Sequence, residues 1–275
     1  YSTVNGALIR AGVTENNFQG KGQQLGLDVG VSQRTSDYNI SFTEPYFLGR
    51  RLSAGADLFR TEQDYQDEGS YDSETTGGRI RLGWNYTDDL SQYARYTLRQ
   101  DKISNVDSLA SVYIKEEAGS STASSIGQTL VYDKRDSAIN PKEGYYLSFG
   151  NDVAGLGGDE KYLRFDGKVY TYYTLADYYT FKLFVNAGYI EGYGDENVRL
   201  SQRYYLGGST LRGFDTAGIG ARDKYTKDAL GGNWMVYSGA EMSFPIGLDE
   251  LGIKGRTFVD MGMLGKPDNI DRAIV

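Results

Sequence analysis

The sequence predicts an all-β protein, and within that class a transmembrane antiparallel β-barrel, from three observations. Apolar residues alternate with polar or small ones along most of the chain, the two-residue period of strands with unlike faces. Within 162–174, Leu163, Phe165, Val169, Thr171 and Tyr173 share one face, while Arg164, Asp166 and Lys168 share the other. No stretch is long or apolar enough for a membrane-spanning helix. The connections fall into a short set and a long set, as expected of a wall whose strands run up and down between two unlike compartments.

Taken in order, about twelve strands are expected, each near the length of a tilted membrane strand. The first, 7–13, places Ala7, Ile9, Ala11 and Val13 on one face, and 23–31 does the same with Leu25, Leu27, Val29 and Val31. Tyr38, Ile40 and Phe42 mark the third strand, Leu52, Ala54, Ala56 and Leu58 the fourth, and Ile80, Leu82 and Trp84 the fifth. Ala94, Tyr96 and Leu98 mark the sixth, opposite Arg95 and Arg99. Strands at 126–132, 145–153, 162–174, 181–189, 234–244 and 254–263 complete the set. Segments 15–21, 44–50, 87–90, 175–179 and 245–251 read as short turns. Segments 61–73, 103–121 and 191–231 read as long loops at the opposite end, the turns facing the periplasm and the loops the exterior.

Composition agrees with a barrel and narrows its chemistry. The 275 residues include 24 tyrosines and 36 glycines, carry a formal charge of −8, and contain neither cysteine nor histidine. Tyrosine suits a headgroup boundary or a wet interior, because its ring buries while its hydroxyl stays hydrated. The acidic balance and the lack of a Lys/Arg stripe argue against a nucleic-acid binder. Without cysteine there is no thiolate chemistry or disulfide, and without histidine no conventional hydrolytic triad. An enzyme, a cofactor and a metal are therefore not expected. The acidic run Asp64, Asp67 and Glu68 reads as a solvated loop face rather than an ion site. Asn39-Ile40-Ser41 and Asn85-Tyr86-Thr87 fit the glycosylation pattern, which is immaterial if the source is bacterial. A soluble β-sandwich would also bury one face of each strand, but the strand number and the charges on the inner faces favour a barrel with a watery lumen.

The sharpest local feature lies in the longest loop, Gly207-Gly208-Ser209-Thr210-Leu211-Arg212-Gly213-Phe214. Its glycines permit tight backbone paths, and Arg212 offers a rigid fork of donors beside Phe214; taken alone, the same stretch reads equally as a Gly-rich turn with an exposed arginine. In the strands that follow, parity turns Glu241 inward, and Asp260 inward with Arg256, Phe258 and Gly262. A loop folded into the lumen would bring Arg212 against either carboxylate, a charge-assisted contact that fixes orientation as well as position.

These residues, together with Gly231-Gly232-Asn233, Phe258-Val259-Asp260-Met261-Gly262, Glu15-Asn16-Asn17-Phe18-Gln19-Gly20-Lys21-Gly22, Thr43-Glu44-Pro45-Tyr46-Phe47, Tyr132-Asp133-Lys134-Arg135-Asp136 and Pro141-Lys142-Glu143-Gly144, resemble the barrel of the BamA family of bacterial outer-membrane assembly factors. The resemblance covers essentially the whole chain and keeps its order. It implies a sixteen-stranded barrel in the bacterial outer membrane. It assigns a lumen loop anchor to Arg212, Gly213 and Phe214 with Glu241 and Asp260 as acceptors. It also implies assembly and insertion of β-barrel clients without covalent chemistry, with unfolded outer-membrane proteins, accessory periplasmic lipoproteins and outer-membrane lipids as partners. Against that pattern, residues 1–275 would lack the first strand, the last three, and the preceding periplasmic domains. No export signal is visible at residues 1–4, so a portion of a longer protein is expected, with Ile274-Val275 beginning another strand. A related barrel that secretes a polypeptide or assembles autotransporters would share the loop motif. A passive porin would share only the face pattern.

Overall fold

A computed structural model describes residues 6–176, 178–247, 253–268 and 270, and the backbone of 273–274. Twelve long strands form one antiparallel sheet: β1 (Leu8–Phe18), β2 (Gln23–Ser32), β3 (Thr35–Glu44), β4 (Leu52–Asp64), β5 (Asp72–Asn85), β6 (Leu90–Ser104), β7 (Gly119–Asp133), β8 (Gly144–Gly158), β9 (Tyr162–Leu175), β10 (Tyr179–Gly192), β13 (Trp234–Pro245) and β14 (Lys254–Leu264). Each pairs with its neighbour in sequence, except that β10 meets β13 across the long excursion 193–233. That excursion carries two short strands, β11 (Ala221–Asp223) and β12 (Ala229–Gly231). The sheet is open among the described residues, with β1 and β14 as its edges.

Register carries the alternation from strand to strand across the body of the sheet, with shifts only near the ends of β1 and β7. Leu27 pairs with Ile40, Ile40 with Leu58, Leu147 with Val169, and Val169 with Val185, so outward apolar residues form continuous rows. These residues are exposed in the isolated chain, Leu58 at 63% and Leu183 at 53%, as a surface that meets lipid must be. The inner face is polar and self-paired. Arg81 reaches Asp57 at 3.1 Å, Arg95 grips both oxygens of Asp152 at 3.0 and 2.5 Å, and Arg164 lies 3.2 Å from Asp166. A charge on this face meets a partner or water rather than hydrocarbon.

Ends and connections differ from the sequence reading in several places. Strand β1 runs to Phe18, beyond the expected end at residue 13, because a register shift between Glu15 and Phe18 lets it continue; the turn is only 19–22. The two expected connection sets do fall at opposite ends of the sheet. Length alone does not separate them, since Gln33–Arg34 and 159–161 are short links at the loop end and 134–143 is a longer link at the turn end. The expected turn at 245–251 lies partly outside the described residues. Ala273–Ile274 form a strand, β15, but it pairs with β11 of the long excursion in a small three-stranded sheet rather than joining the wall; Val275 lies outside the described residues.

Apolar side chains pack together at the loop end. Tyr71, Ile103, Ile114, Leu200 and Leu230 form one buried cluster, joining three loops into a dome. The acidic run is tied into this region: Glu68 is buried and accepts two bonds from the Arg34 guanidinium, one at 2.8 Å. It is thus not simply a solvated face. Among the described residues no group of three or more His, Cys, Asp or Glu side chains is arranged to hold a metal.

Candidate functional site

The excursion between β10 and β13 does not stay outside the barrel. It folds back against the inner face of β8–β10 and β13–β14, where Tyr204, Leu206 and Leu211 join Ala154, Tyr162, Ile190 and Leu264 in a buried cluster. Glycine makes room for it. A Cβ on Gly188 would lie 2.5 Å from the Tyr204 ring, and one on Gly262 2.7 Å from Leu206, so both wall positions require the smallest residue for the loop to seat. Tyr204 is fixed further by donating to Asp166 at 2.9 Å, while the Arg164 guanidinium stacks 4.6 Å from its ring centre.

The loop tip is a tight, internally bonded turn. Gly207 has φ +130°, and a Cβ there would meet the Asp215 carbonyl at 2.0 Å. The Thr210 hydroxyl donates to the Gly207 carbonyl at 2.7 Å, and the Gly208 amide to the Phe214 carbonyl at 2.9 Å. Gly213, at φ +88°, then turns the chain away from Arg212 in a conformation that favours glycine.

The turn aims Arg212 at the wall. Its Nε donates to Asp260 Oδ2 at 2.7 Å and Nη2 to Asp260 Oδ1 at 2.8 Å, a side-on bidentate pair, while Nη1 donates to Glu241 Oε2 at 2.7 Å. The Asp260 and Glu241 side chains are 5% and 10% exposed, and Arg212 34%, so the pairs are shielded but not dry. Bonding to Asp260 holds the guanidinium proton above its ordinary range. Beneath the guanidinium lies the Phe258 ring, 3.6 Å from Cζ to the centroid. Glu241 and Asp260 sit on adjacent strands, with Gly239 opposite Asp260; a Cβ on Gly239 would meet Asp260 Oδ1 at 2.5 Å and the Phe184 ring at 2.6 Å.

Phe214 departs from the expected packing. Its ring is 48% exposed and borders a cleft of about 750 Å³ with Arg34, Glu68 and Arg222. The contacts that sequence reasoning missed are Phe258 as a stacking floor, and a second set of ties higher in the loop. There Gln202 bonds Asp101 at 2.8 Å and also accepts from Arg99, and Arg203 reaches Glu117 at 3.4 Å. Phe258 carried a signal, since its parity matched Asp260. Gln202 carried none, because a loop has no period to read.

A family model described as the Omp85 superfamily domain matches residues 17–273. The outer membrane protein assembly factor BamA of Neorickettsia risticii is 34% identical over 252 residues, 91% of this chain and 34% of that protein. A sorting and assembly machinery component 50 homolog of Xenopus tropicalis is 33% identical over 139 residues, half of this chain and 29% of that protein. Among solved structures, BamA of Haemophilus ducreyi lacking POTRA domains 1–3 superposes with a TM-score of 0.85 at 24% identity, covering 97% of this chain and 56% of that one. CdiB of Acinetobacter baumannii gives 0.62 at 16% identity, covering 97% and 48%. The chain spans about a third of the length of the curated BamA relatives it matches. Matched along nearly all its length, the chain belongs to the Omp85 superfamily.

Proposed function

We propose that residues 1–275 form most of the barrel wall of an outer-membrane assembly factor, a non-enzymatic protein that folds and inserts other β-barrel proteins into the bacterial outer membrane. The supporting observation is the combination of a whole-chain likeness to BamA proteins with a lumen loop fixed on two wall carboxylates. In a longer parent, further strands would pair with the open edges β1 and β14, since unpaired backbone groups are not tolerated in lipid. Short turns would face the periplasm and the dome the exterior. Clients would be unfolded outer-membrane proteins, and accessory periplasmic lipoproteins would bind chiefly through domains outside this chain.

Arg212, Gly213, Phe214, Glu241 and Asp260 serve on this reading as the loop anchor. The anchor keeps the interior braced while strands elsewhere in the wall separate and offer backbone edges to a client. The work would come from client folding and bilayer deformation, so neither nucleotide nor metal is required. Full-length parent in liposomes, with its accessory lipoproteins and a chelator but no nucleotide, should accelerate insertion of an unfolded outer-membrane barrel. Ion conductance without acceleration would overturn this reading in favour of a porin. The CdiB likeness supports the fold alone, and secretion of a polypeptide without barrel insertion would favour that second reading.

A further inference from the structure

The lipid-facing surface is not uniformly apolar. Outward positions on β5–β8 include Leu82, Trp84, Leu98, Ile126, Leu130 and Phe149, but three carboxamides interrupt them. Gln128 lies opposite Ala94 on one side and Asn151 on the other, and Gln92 lies opposite Leu130. Their side chains form a continuous file. The Tyr86 hydroxyl donates to Gln92 Oε1 at 2.5 Å, Gln92 Nε2 donates to Gln128 Oε1, and Gln128 Nε2 donates to Asn151 Oδ1 at 3.2 Å. The file starts beside Tyr86, at the turn end of β5, rises one outward row from Gln92 on β6 to Gln128 on β7, and runs level to Asn151 on β8, inside the apolar band.

Each carbonyl oxygen of the file is satisfied from within. The hydrogens are not: Gln92 and Gln128 each keep one amide N–H, and Asn151 keeps both. The file therefore needs outside acceptors, and hydrocarbon has none to give. A second observation concerns height. On β10, Tyr179 and Tyr189 bracket the outward residues Phe181, Leu183, Val185 and Ala187. That span is about 34 Å along the strand and about 26 Å along the membrane normal at the usual tilt. On β7 the outward Ser120 and Thr122 are polar, and the apolar span runs only from Ile126 to Tyr132, with Gln128 inside it. That is about 20 Å along the strand and about 15 Å in height.

We propose that the β5–β8 wall is a lipid-headgroup contact site. The carboxamide file there draws phosphate and ester oxygens, with their water, into what is elsewhere the apolar belt. Headgroups fit better than a protein partner for two reasons. The unpartnered hydrogens of the file are donors and phosphate and ester oxygens are acceptors, while a neighbouring barrel with a full-height belt would mismatch the short one. The site lies in the middle of the wall, away from both open edges. It rests on the reading of the outer face as lipid-facing.

Residues 1–275 contain no cysteine, and any cysteine elsewhere in the parent is first replaced by serine so that single cysteines report cleanly. In the full-length parent, Leu130→Cys and Ile126→Cys should be compared with Leu183→Cys and Val185→Cys, in phosphatidylcholine vesicles containing no other protein. A water-soluble maleimide reacts with thiolate, which does not form in hydrocarbon, so positions 126 and 130 should label at least about tenfold faster than 183 and 185. Adding Gln92→Leu, Gln128→Leu and Asn151→Leu should slow position 130 to the rate at 183; Gln128→Leu alone, which breaks the file at its centre, should slow it in part. Position 130 labelling as slowly as 183 would overturn the proposal and leave the barrel reading intact. Fast labelling at 183 as well would overturn the outer-face assignment, and the proposal with it. Fast labelling in pure vesicles that vanishes in native outer membranes would assign the wall to a protein partner instead.

Discussion

Arg212 is held by three short hydrogen bonds and an aromatic floor, and each contact depends on guanidinium geometry. At 34% exposure its pairs are partly screened, so Arg212→Ala should cost the docked loop about 1–2 kcal/mol, a roughly tenfold faster amide exchange across 205–218 by mass spectrometry. Arg212→Lys should restore only part of that protection, since an ammonium cannot span both oxygens of Asp260 and stack on Phe258. The loop should nevertheless stay inside the barrel in both variants, because Tyr204 and Gln202 hold it independently. Glu160, in the link between β8 and β9, poses the opposite case. Burial raises its carboxyl above the usual glutamate range, although the Ser121 hydroxyl donates to it at 2.8 Å and Arg199 lies 3.9 Å away. A carboxyl raised in the folded state favours folding below its unfolded pKa of about 4.3, and that favour is lost as pH rises through its folded value. The dome should therefore resist proteolysis better at pH 5 than at pH 8. Glu160→Gln should flatten this dependence, and a steeper dependence in the variant would refute the assignment.

At the scale of single elements, β10 shows how alternation becomes energetics. Its odd positions face outward and its even positions inward, so adjacent residues differ in what they tolerate. Leu183→Arg places a charge against hydrocarbon near the middle of the band and should cost about 2–4 kcal/mol in a bilayer denaturation series. Lys182→Leu, one residue away but inside the lumen over the rings of Tyr170 and Phe184, should cost under about 1 kcal/mol. Equal costs would mean that the two faces see the same solvent. The strand ends obey a different logic. The register shift in β1 and the tight turn at 19–22 arise from local backbone geometry that hydropathy does not encode.

For the whole molecule, the consequence of an open twelve-stranded sheet is a pair of unsatisfied edges. Hydrogen exchange of the chain in detergent micelles should show slow amides in β5–β9 and fast ones along the free sides of β1 and β14. In the intact parent those two strands should become protected as further strands pair with them. Persistent fast exchange at β14 in the intact parent would contradict that pairing. The dome adds cohesion at one end only. Tyr71, Ile114, Leu200 and Leu230 tie three loops together, whereas the turn end has no comparable cluster among the described residues.

The class of fold, the strand order and the face of nearly every wall residue are legible in the order of residues alone, because a period of two leaves no freedom once one face is apolar. The inward direction of Glu241 and Asp260 follows from that rule alone, and so does the outward direction of Leu163 and Val259. Where the aperiodic segments go is set by packing between elements distant in the chain. Nothing in 193–233 shows locally that Tyr204 sits over Gly188, that Gln202 reaches Asp101, or that Phe214 stays half-exposed while Phe258 supports the arginine. Ala273–Ile274 has the residues of a strand and forms one, but which sheet it joins depends on which unpaired edge lies within reach. Alternation is a local property written in neighbouring residues, whereas the seat of a loop depends on the space left by glycines on strands far away in sequence.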